Sequence, residues 1–181
     1  MYNKEKINLE FKYLSEKNVY PSHYLKVNKQ SFELPNKQIK EFEIHKGGEV
    51  VVILPITKDN QVVCVTQYRV GPKLTMTELP AGFVDQGESP LQAAQRELLE
   101  ETGFSGEINF VQTVYPDSYS TIKRHVYVCQ NAQKLKEPNL DDSEFLKVEL
   151  LSAQKFRNHL KSGKLTHLES AYLAMDFLNF L

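Results

Sequence analysis

Three glutamates in the middle of the chain have the spacing of neighbours on a helix. Glu97, Glu100 and Glu101 stand at positions i, i+3 and i+4, so on a helix their carboxylates would lie side by side. Like charges repel at that spacing, and the last turn of a helix disfavours anions. A divalent cation would offset both costs, and Mg²⁺ and Mn²⁺ prefer carboxylate and carbonyl oxygens. The cluster therefore predicts a metal site that could bind phosphate groups.

Capping residues on both sides of the cluster indicate that the segment is helical. Ser89 followed by a proline, with Gln92 three residues after it, is typical of an N-cap with a capping box. Gly103 suits the left-handed conformation that ends many helices. The sequence thus predicts a helix over residues 90–102. Its apolar residues share one face, which we expect to pack on a sheet: Leu91, Ala94 and Leu98.

The residues around this helix could complete a metal site. The loop that precedes it contains Gly82, where the backbone can approach an ion closely, and the main-chain carbonyl of Ala81 is a candidate ligand. Arg96 could pair with a ligand carboxylate and orient it. Glu88, just before the helix, could serve as a ligand, a hydrogen-bond acceptor or a partner of a basic side chain.

The whole window from Gly82 to Phe104 resembles the signature of the Nudix hydrolases. It contains Gly82, five residues, Glu88, seven residues and then Arg-Glu-Leu-Leu-Glu-Glu-Thr-Gly-Phe from position 96. The resemblance implies an α/β fold, the Nudix α/β/α sandwich, and hydrolysis of a diphosphate linked to another group. It also implies a set of metal ligands, with Mg²⁺ or Mn²⁺ as the cofactor: the Ala81 carbonyl, Glu97 and Glu101, with Glu100 and Glu88 assisting.

Two further segments resemble the ADP-ribose pyrophosphatase and nucleoside-diphosphate-sugar branch of that family. They are Gln67-Tyr68-Arg69 and Glu78-Leu79-Pro80-Ala81-Gly82. The resemblance implies that Arg69 binds substrate phosphate, that Glu78 lies at the active site, and that amino-terminal strands are exchanged within a homodimer. Pro116, with its neighbours Tyr115 and Asp117, stands where this branch often has a proline that accompanies ADP-ribose specificity.

One position departs from the pattern of the branch. A glutamate is usual in the loop before a later strand, whereas this chain has Ile122. The general base therefore stays open between Asp117, Glu100 and a metal-bound hydroxide. In the same loop Lys123 or Arg124 could hold a phosphate, and two tyrosines could stack on a base: Tyr115 and Tyr119.

Hydrophobic patterning predicts a small amino-terminal unit and one larger domain. Residues 1–46 contain three alternating stretches, at 8–13, 24–32 and 39–44, which favour a small antiparallel β subdomain. Residues 47–181 would form the hydrolase domain. Its first strands, 50–56 and 61–68, are nearly continuous β-branched runs joined by a polar turn, which predicts a buried hairpin. Strands are expected at 108–115, 125–130 and 145–150, and helices at 152–161 and 166–180.

Composition excludes several classes of partner. Lys and Arg number 22 against 23 Asp and Glu, a formal charge of -1, so no basic surplus exists to hold nucleic acid or an anionic membrane. The two cysteines, Cys64 and Cys129, lie in apolar runs and are too few for a disulfide framework. With no apolar run of membrane-spanning length and no signal-like start, we expect a soluble cytoplasmic protein. The five histidines show no ligand spacing, and we assign them no role.

These observations predict an Mg²⁺-dependent pyrophosphatase. Its expected substrate is a nucleoside diphosphate linked to another moiety, above all ADP-ribose or a related nucleotide sugar, and its products are a nucleoside monophosphate and a sugar phosphate. Two alternatives stay open. One is a Nudix hydrolase of dinucleoside polyphosphates or other nucleotides, and the other is a non-catalytic Nudix module that senses a nucleotide.

Overall fold

The computed structural model describes residues 12–21, 26–140 and 145–181. These residues form two compact units. The first unit contains the described residues up to Gly48 together with Tyr115–Ile122, and the second contains Glu49–Val114 and the described residues from Lys123 to Leu181. In chain order the elements are β1 (Lys12–Pro21), β2 (Lys26–Glu33), β3 (Ile39–Lys46), β4 (Glu49–Pro55), β5 (Gln61–Arg69), β6 (Leu74–Glu78), β7 (Ala81–Phe83), α1 (Pro90–Thr102), β8 (Phe104–Val114), β9 (Lys123–Lys134), β10 (Leu146–Ser152), α2 (Ala153–Leu160) and α3 (Leu168–Phe177).

The first unit is a three-stranded antiparallel sheet in the order β1-β2-β3. Strands β2 and β3 fall where alternation predicts them, whereas the predicted strand at 8–13 lies mostly outside the described residues. The strand found there, β1, begins at Lys12, and two register shifts along it interrupt the alternation that sequence analysis depends on. The segment 115–122 joins this unit through backbone bonds of His45 to Tyr119 and Thr121, at 2.8 and 2.9 Å.

The second unit contains two sheets, a four-stranded one in the order β7-β4-β9-β8 and a three-stranded one in the order β10-β5-β6. Strands β4 and β9 are parallel, and the other pairs are antiparallel. The predicted hairpin of the first two strands is wrong. The polar turn is present, with Asn60 N–H donating to the Thr57 carbonyl, but β4 and β5 enter different sheets and share one bridge, Ile56 to Val62. Both strands are apolar on both faces. Their composition therefore predicts that they are buried, but it does not indicate which strand each one pairs with.

Helices cover these sheets on both sides because the side chains of β4 alternate between two apolar clusters. Val51 and Ile53 belong to the cluster that contains Ala94 and Leu98 of α1. The alternate residues of β4, Val52 and Leu54, belong to the other cluster, where they pack with Phe156 of α2 and Met175 of α3. This arrangement is the predicted α/β/α sandwich. On α1, however, Leu91 is 44% exposed, and the buried face is formed by Ala93, Ala94 and Leu98.

The short strand β7 positions the loop before α1. It pairs antiparallel with β4, with Ala81 opposite Val52 and Gly82 opposite Val51. Three residues are too few to give a period in the sequence, and neither β7 nor β6 is predicted. Among the described residues, no helix has the length and apolar character needed to cross a membrane.

Candidate active site

Helix α1 begins and ends at the residues that the capping signals predict. Ser89 Oγ accepts from the N–H of Gln92, whose side chain in turn accepts from the N–H of Ser89 at 2.9 Å, which completes the capping box. At the other end Gly103 has φ 74°, a left-handed conformation that few other residues adopt readily. Because both ends are fixed, the rotation of the helix and the direction of its glutamates are fixed as well.

The guanidinium of Arg96 is the centre of the acidic cluster. It donates to both oxygens of Glu88, at 3.1 and 3.0 Å, to Glu97 at 2.8 Å and to Glu100 at 3.2 Å. It also donates to the carbonyl of Phe83 at 2.9 Å. The bonds with Glu88 raise the pKa of Arg96 above its ordinary value, against the effect of burial, and the same bonds lower the pKa of the Glu88 carboxyl. The repulsion between the acids is therefore offset by one cation within the protein.

Two of the glutamates meet the backbone of β7. Glu101, which is 6% exposed, accepts the N–H of Ala81 on Oε2 at 3.1 Å. A Cβ atom added to Gly82 would overlap the carboxylate of Glu97, so these two groups touch. The two carboxylates thus approach consecutive residues of the same short strand, beside the Ala81 carbonyl that the sequence predicts as a ligand.

This donor set suits a hard divalent cation in number and kind. Mg²⁺ is commonly held by one or two carboxylates, with water and substrate phosphate completing its shell. Glu97 and Glu101 with the Ala81 carbonyl supply such a set. Among the described residues, no group of three or more His, Cys, Asp or Glu side chains converges as a complete protein cage. Glu100 is turned toward Arg96 and is 41% exposed.

A cavity of about 640 Å³ adjoins this cluster. Its lining residues come from β7 and α1, among them Ala81, Gly82, Arg96, Glu97 and Glu101. Others come from β5, the loop after it and the connection before α3, among them Gln67, Arg69, Thr166 and His167. Its volume lies in the range of small-molecule sites. Carboxylates and cations therefore line one open cleft, an arrangement that suits a phosphate-containing ligand together with a metal.

Arg69 is held at this cavity by a buried carboxylate. Its Nε donates to Oε2 of Glu78 at 2.6 Å, and the Glu78 side chain is 2% exposed. The other oxygen, Oε1, accepts the backbone N–H of Thr166 at 2.8 Å. Both oxygens of Glu78 are engaged by the protein, so its geometry suits positioning of Arg69 rather than direct contact with a substrate.

Other candidate residues belong to the first unit, or lie in the second unit and already have acidic partners. Tyr115, Pro116 and Asp117 belong to the first unit, where Asp117 accepts the N–H of Tyr119 at 2.7 Å. In the second unit Lys123 donates to Glu49 at 3.2 Å, and Arg124 forms an ion pair with Glu169. Lys123 and Arg124, which the sequence indicates as possible phosphate ligands, therefore both already have acidic partners.

Two residues of the cavity, Thr166 and His167, have no predicted role from the sequence. Both lie in the connection before α3, whose position at the cavity depends on the contact with Glu78 across 88 residues of chain. The periodic pattern predicts a helix from 166, whereas α3 begins at Leu168, and nothing in the pattern indicates a contact of residues 166 and 167 with a distant strand. Only a rule about unusual N-caps could have drawn attention to His167, since histidine is uncommon at that position.

The chain belongs to the Nudix family, since the model of the NUDIX domain matches residues 47–170. It is 28% identical over 174 residues to the ADP-ribose pyrophosphatase of Bacillus subtilis, covering 94% of each chain. It is 29% identical over 163 residues to the methanol dehydrogenase activator of Bacillus methanolicus, covering 86% of each. A crystal structure of an ADP compounds hydrolase has the same fold, with a TM-score of 0.80 and 23% identity over 95% of this chain and 96% of that one.

These comparisons confirm three sequence-based predictions: the Nudix sandwich, the branch of the ADP-ribose pyrophosphatases, and a pyrophosphatase enzyme. Members of the family generally use divalent metals. The donor set formed by Glu97, Glu101 and Ala81 agrees with that property.

Proposed function

We propose that the protein hydrolyses the diphosphate of ADP-ribose, or of a closely related nucleotide sugar, in an Mg²⁺-dependent reaction. Water adds to one phosphorus, the bridging P–O bond breaks, and the products are a nucleoside monophosphate and a sugar phosphate. The observation that carries the proposal is the lining of one cavity, which contains Glu97 and Glu101, both in contact with strand β7, together with Arg69. The similarity to the Bacillus subtilis ADP-ribose pyrophosphatase supports the choice of substrate.

In this proposal, different residues bind the cation and the diphosphate. Glu97, Glu101 and the Ala81 carbonyl would hold the cation, and by the resemblance Glu100 and Glu88 would assist, Glu88 through its hydrogen bonds to Arg96. When bound, the cation neutralises charge on the diphosphate and makes a water molecule more acidic. Arg69 binds the diphosphate, because a guanidinium offers paired donors to phosphate oxygens, and the buried Glu78 fixes its orientation.

Two other residues of α1 have roles in orienting the carboxylates and in accepting a proton. Arg96 keeps Glu97 and Glu88 in place through direct hydrogen bonds. Glu100 is the most exposed of the three helix glutamates, with one oxygen on Arg96, and we assign it the removal of the proton from the attacking water. Tyr115, Pro116 and Asp117 keep their proposed place among the substrate-binding residues, on the grounds of the resemblance alone.

A second candidate function rests on one relative. The methanol dehydrogenase activator of Bacillus methanolicus is nearly as similar to this chain as the pyrophosphatase is. A role in activating another enzyme is therefore the alternative if no nucleotide sugar is hydrolysed.

The test is a substrate panel with product analysis. The purified protein is incubated with Mg²⁺ and ADP-ribose, other nucleotide sugars, dinucleoside polyphosphates and simple nucleotides, and products are separated by chromatography. Equimolar AMP and ribose 5-phosphate from ADP-ribose supports the proposal, and ¹⁸O-labelled water identifies the phosphorus attacked. Preference for dinucleoside polyphosphates, or no turnover at all, refutes it.

A further inference from the structure

His167 is fixed at the cavity by the same carboxylate that holds Arg69. It is the residue before α3, and its side chain makes no capping hydrogen bond to that helix. The preceding residue, Thr166, donates its N–H to Glu78 Oε1, while Glu78 Oε2 accepts from Arg69. One buried side chain thus sets the position of Arg69 and of the backbone next to His167, and both residues line the cavity.

One ring nitrogen of this imidazole makes no hydrogen bond to the part of the chain that the structure describes. Nδ1 of His167 is shut off from solvent and has no hydrogen-bond partner among the described residues. Buried polar atoms without a partner are rare in folded proteins. The residue also lines the cavity, and the two-fold χ2 torsion of histidine allows a half-turn of the ring that would exchange Nδ1 with the opposite edge.

The imidazole is uncharged at neutral pH. Burial is the largest cause that lowers the pKa of His167, and together with the charges of Arg124 and Arg69, and against those of Glu169 and Glu78, it brings the pKa to about 4. A neutral imidazole has one donor nitrogen and one acceptor nitrogen. It therefore matches a hydroxyl group, which both donates and accepts, better than a phosphate, which calls for charged donors such as Arg69.

We propose that His167 is a substrate-contacting residue that hydrogen-bonds a ribose hydroxyl of the nucleotide sugar. The inference rests on the proposed function and adds a specificity determinant to it. The hydroxyl belongs either to the nucleoside ribose or to the terminal sugar. In both cases the contact lies beyond the diphosphate that Arg69 binds.

The experiment compares wild-type protein with His167→Ala and His167→Asn. We expect His167→Ala to raise KM for ADP-ribose about three- to tenfold, the effect of one neutral hydrogen bond, with kcat within about twofold. His167→Asn, whose amide can donate and accept, should restore most of the affinity. The unfolding temperature without ligand should be unchanged in His167→Ala.

Binding of product halves, measured by calorimetry without turnover, separates the two sources of the hydroxyl. Weaker binding of AMP by His167→Ala assigns the nucleoside ribose, and weaker binding of ribose 5-phosphate assigns the terminal sugar. Inorganic phosphate, the control, should bind equally to both proteins.

The inference is overturned by an unchanged KM, by an equal loss of phosphate binding, by a loss that follows a lowered unfolding temperature, or by failure of both halves to bind wild type. Should wild type bind a half yet hydrolyse nothing, the proposed reaction fails while the binding comparison still decides the role of His167.

Discussion

The carboxylate of Glu97 lies where a side chain at position 82 would have to be. Gly82 has no Cβ, and the space beside its Cα is filled by the carboxylate group. The requirement for glycine at this position therefore comes from the close approach of a proposed metal ligand to strand β7 rather than from a turn. Glycine is the residue that permits such an approach.

Gly82→Ala should separate the effects on activity and stability. The clash involves the end of a flexible side chain, so Glu97 can move away, and we expect the free energy of unfolding to fall by only about 1 kcal/mol. Hydrolysis of ADP-ribose should fall by at least about a hundredfold, because the carboxylate is displaced from the site. The matched control is Gly71→Ala, which lines the same cavity and where a Cβ meets nothing within 4 Å. Equal activity in the two variants would contradict this account.

Replacing Arg96 should leave the acidic cluster without its internal cation. Arg96→Gln removes charged hydrogen bonds to Glu88, Glu97 and Glu100, and we expect a loss of about 1–3 kcal/mol in the free energy of unfolding. Added Mg²⁺ should recover part of that loss, since ligands of the folded state stabilise it. Lys134→Gln, which breaks an exposed ion pair with Glu137, should cost less than about 1 kcal/mol and show no such recovery. Denaturant melts with and without Mg²⁺ measure both effects.

Glu78→Gln should weaken substrate binding through Arg69. The glutamine amide keeps the shape of the carboxylate but loses its negative charge. It also has only one acceptor oxygen, so it can no longer accept hydrogen bonds on two oxygens from both Arg69 and the N–H of Thr166. We expect KM for ADP-ribose to rise about tenfold and the free energy of unfolding to fall by about 1–3 kcal/mol. Glu149→Gln, on β10, removes a carboxylate bonded to Thr66 and Lys147 and should leave KM unaltered. A KM for Glu78→Gln equal to that of wild type would exclude the positioning role.

The pH dependence of stability should carry a contribution from His167. Its pKa is about 4 in the folded protein, chiefly because of burial, against an ordinary value of 6.5. As pH falls from about 6.5 toward 4, the unfolded chain takes up this proton first, so the free energy of unfolding decreases through that window. His167→Asn lacks the proton site, and its loss should be smaller by up to about 3 kcal/mol. Coincident curves for the two proteins, measured by denaturant melts from pH 4 to 8, would contradict the assignment.

The ends of α1 could be predicted because the capping residues lie next to those ends in the sequence. Ser89, Gln92 and Gly103 determine the two ends of α1. The spacing along that helix brings Glu97 and Glu100 together on Arg96, whereas Glu101 bonds to Ala81. From the sequence, a divalent cation is expected to offset the repulsion between these glutamates, and Arg96 to pair with a single ligand carboxylate. In the structure Arg96, itself within the motif, does part of this by direct hydrogen bonds.

Features that depend on distant contacts could not be predicted. Strands β4 and β5 have the composition of a buried pair, but their assignment to separate sheets depends on partners much later in the chain, β9 and β10. The second wall of the cavity likewise depends on Glu78 binding the backbone of Thr166. Neither residue carries a local sign of that contact, which explains why His167 was given no role.

The most direct test of the central claim is the rate of ADP-ribose hydrolysis as a function of Mg²⁺ concentration for wild type and Glu101→Gln. Glu101 is buried and bonded to Ala81, and the exchange keeps its size while removing its charge. Glu137→Gln, at a carboxylate that is 83% exposed, serves as the control. The account predicts saturable Mg²⁺ dependence in wild type and control, and a loss of at least about a thousandfold in folded Glu101→Gln. Turnover by Glu101→Gln at the wild-type rate and with the wild-type Mg²⁺ dependence would contradict it.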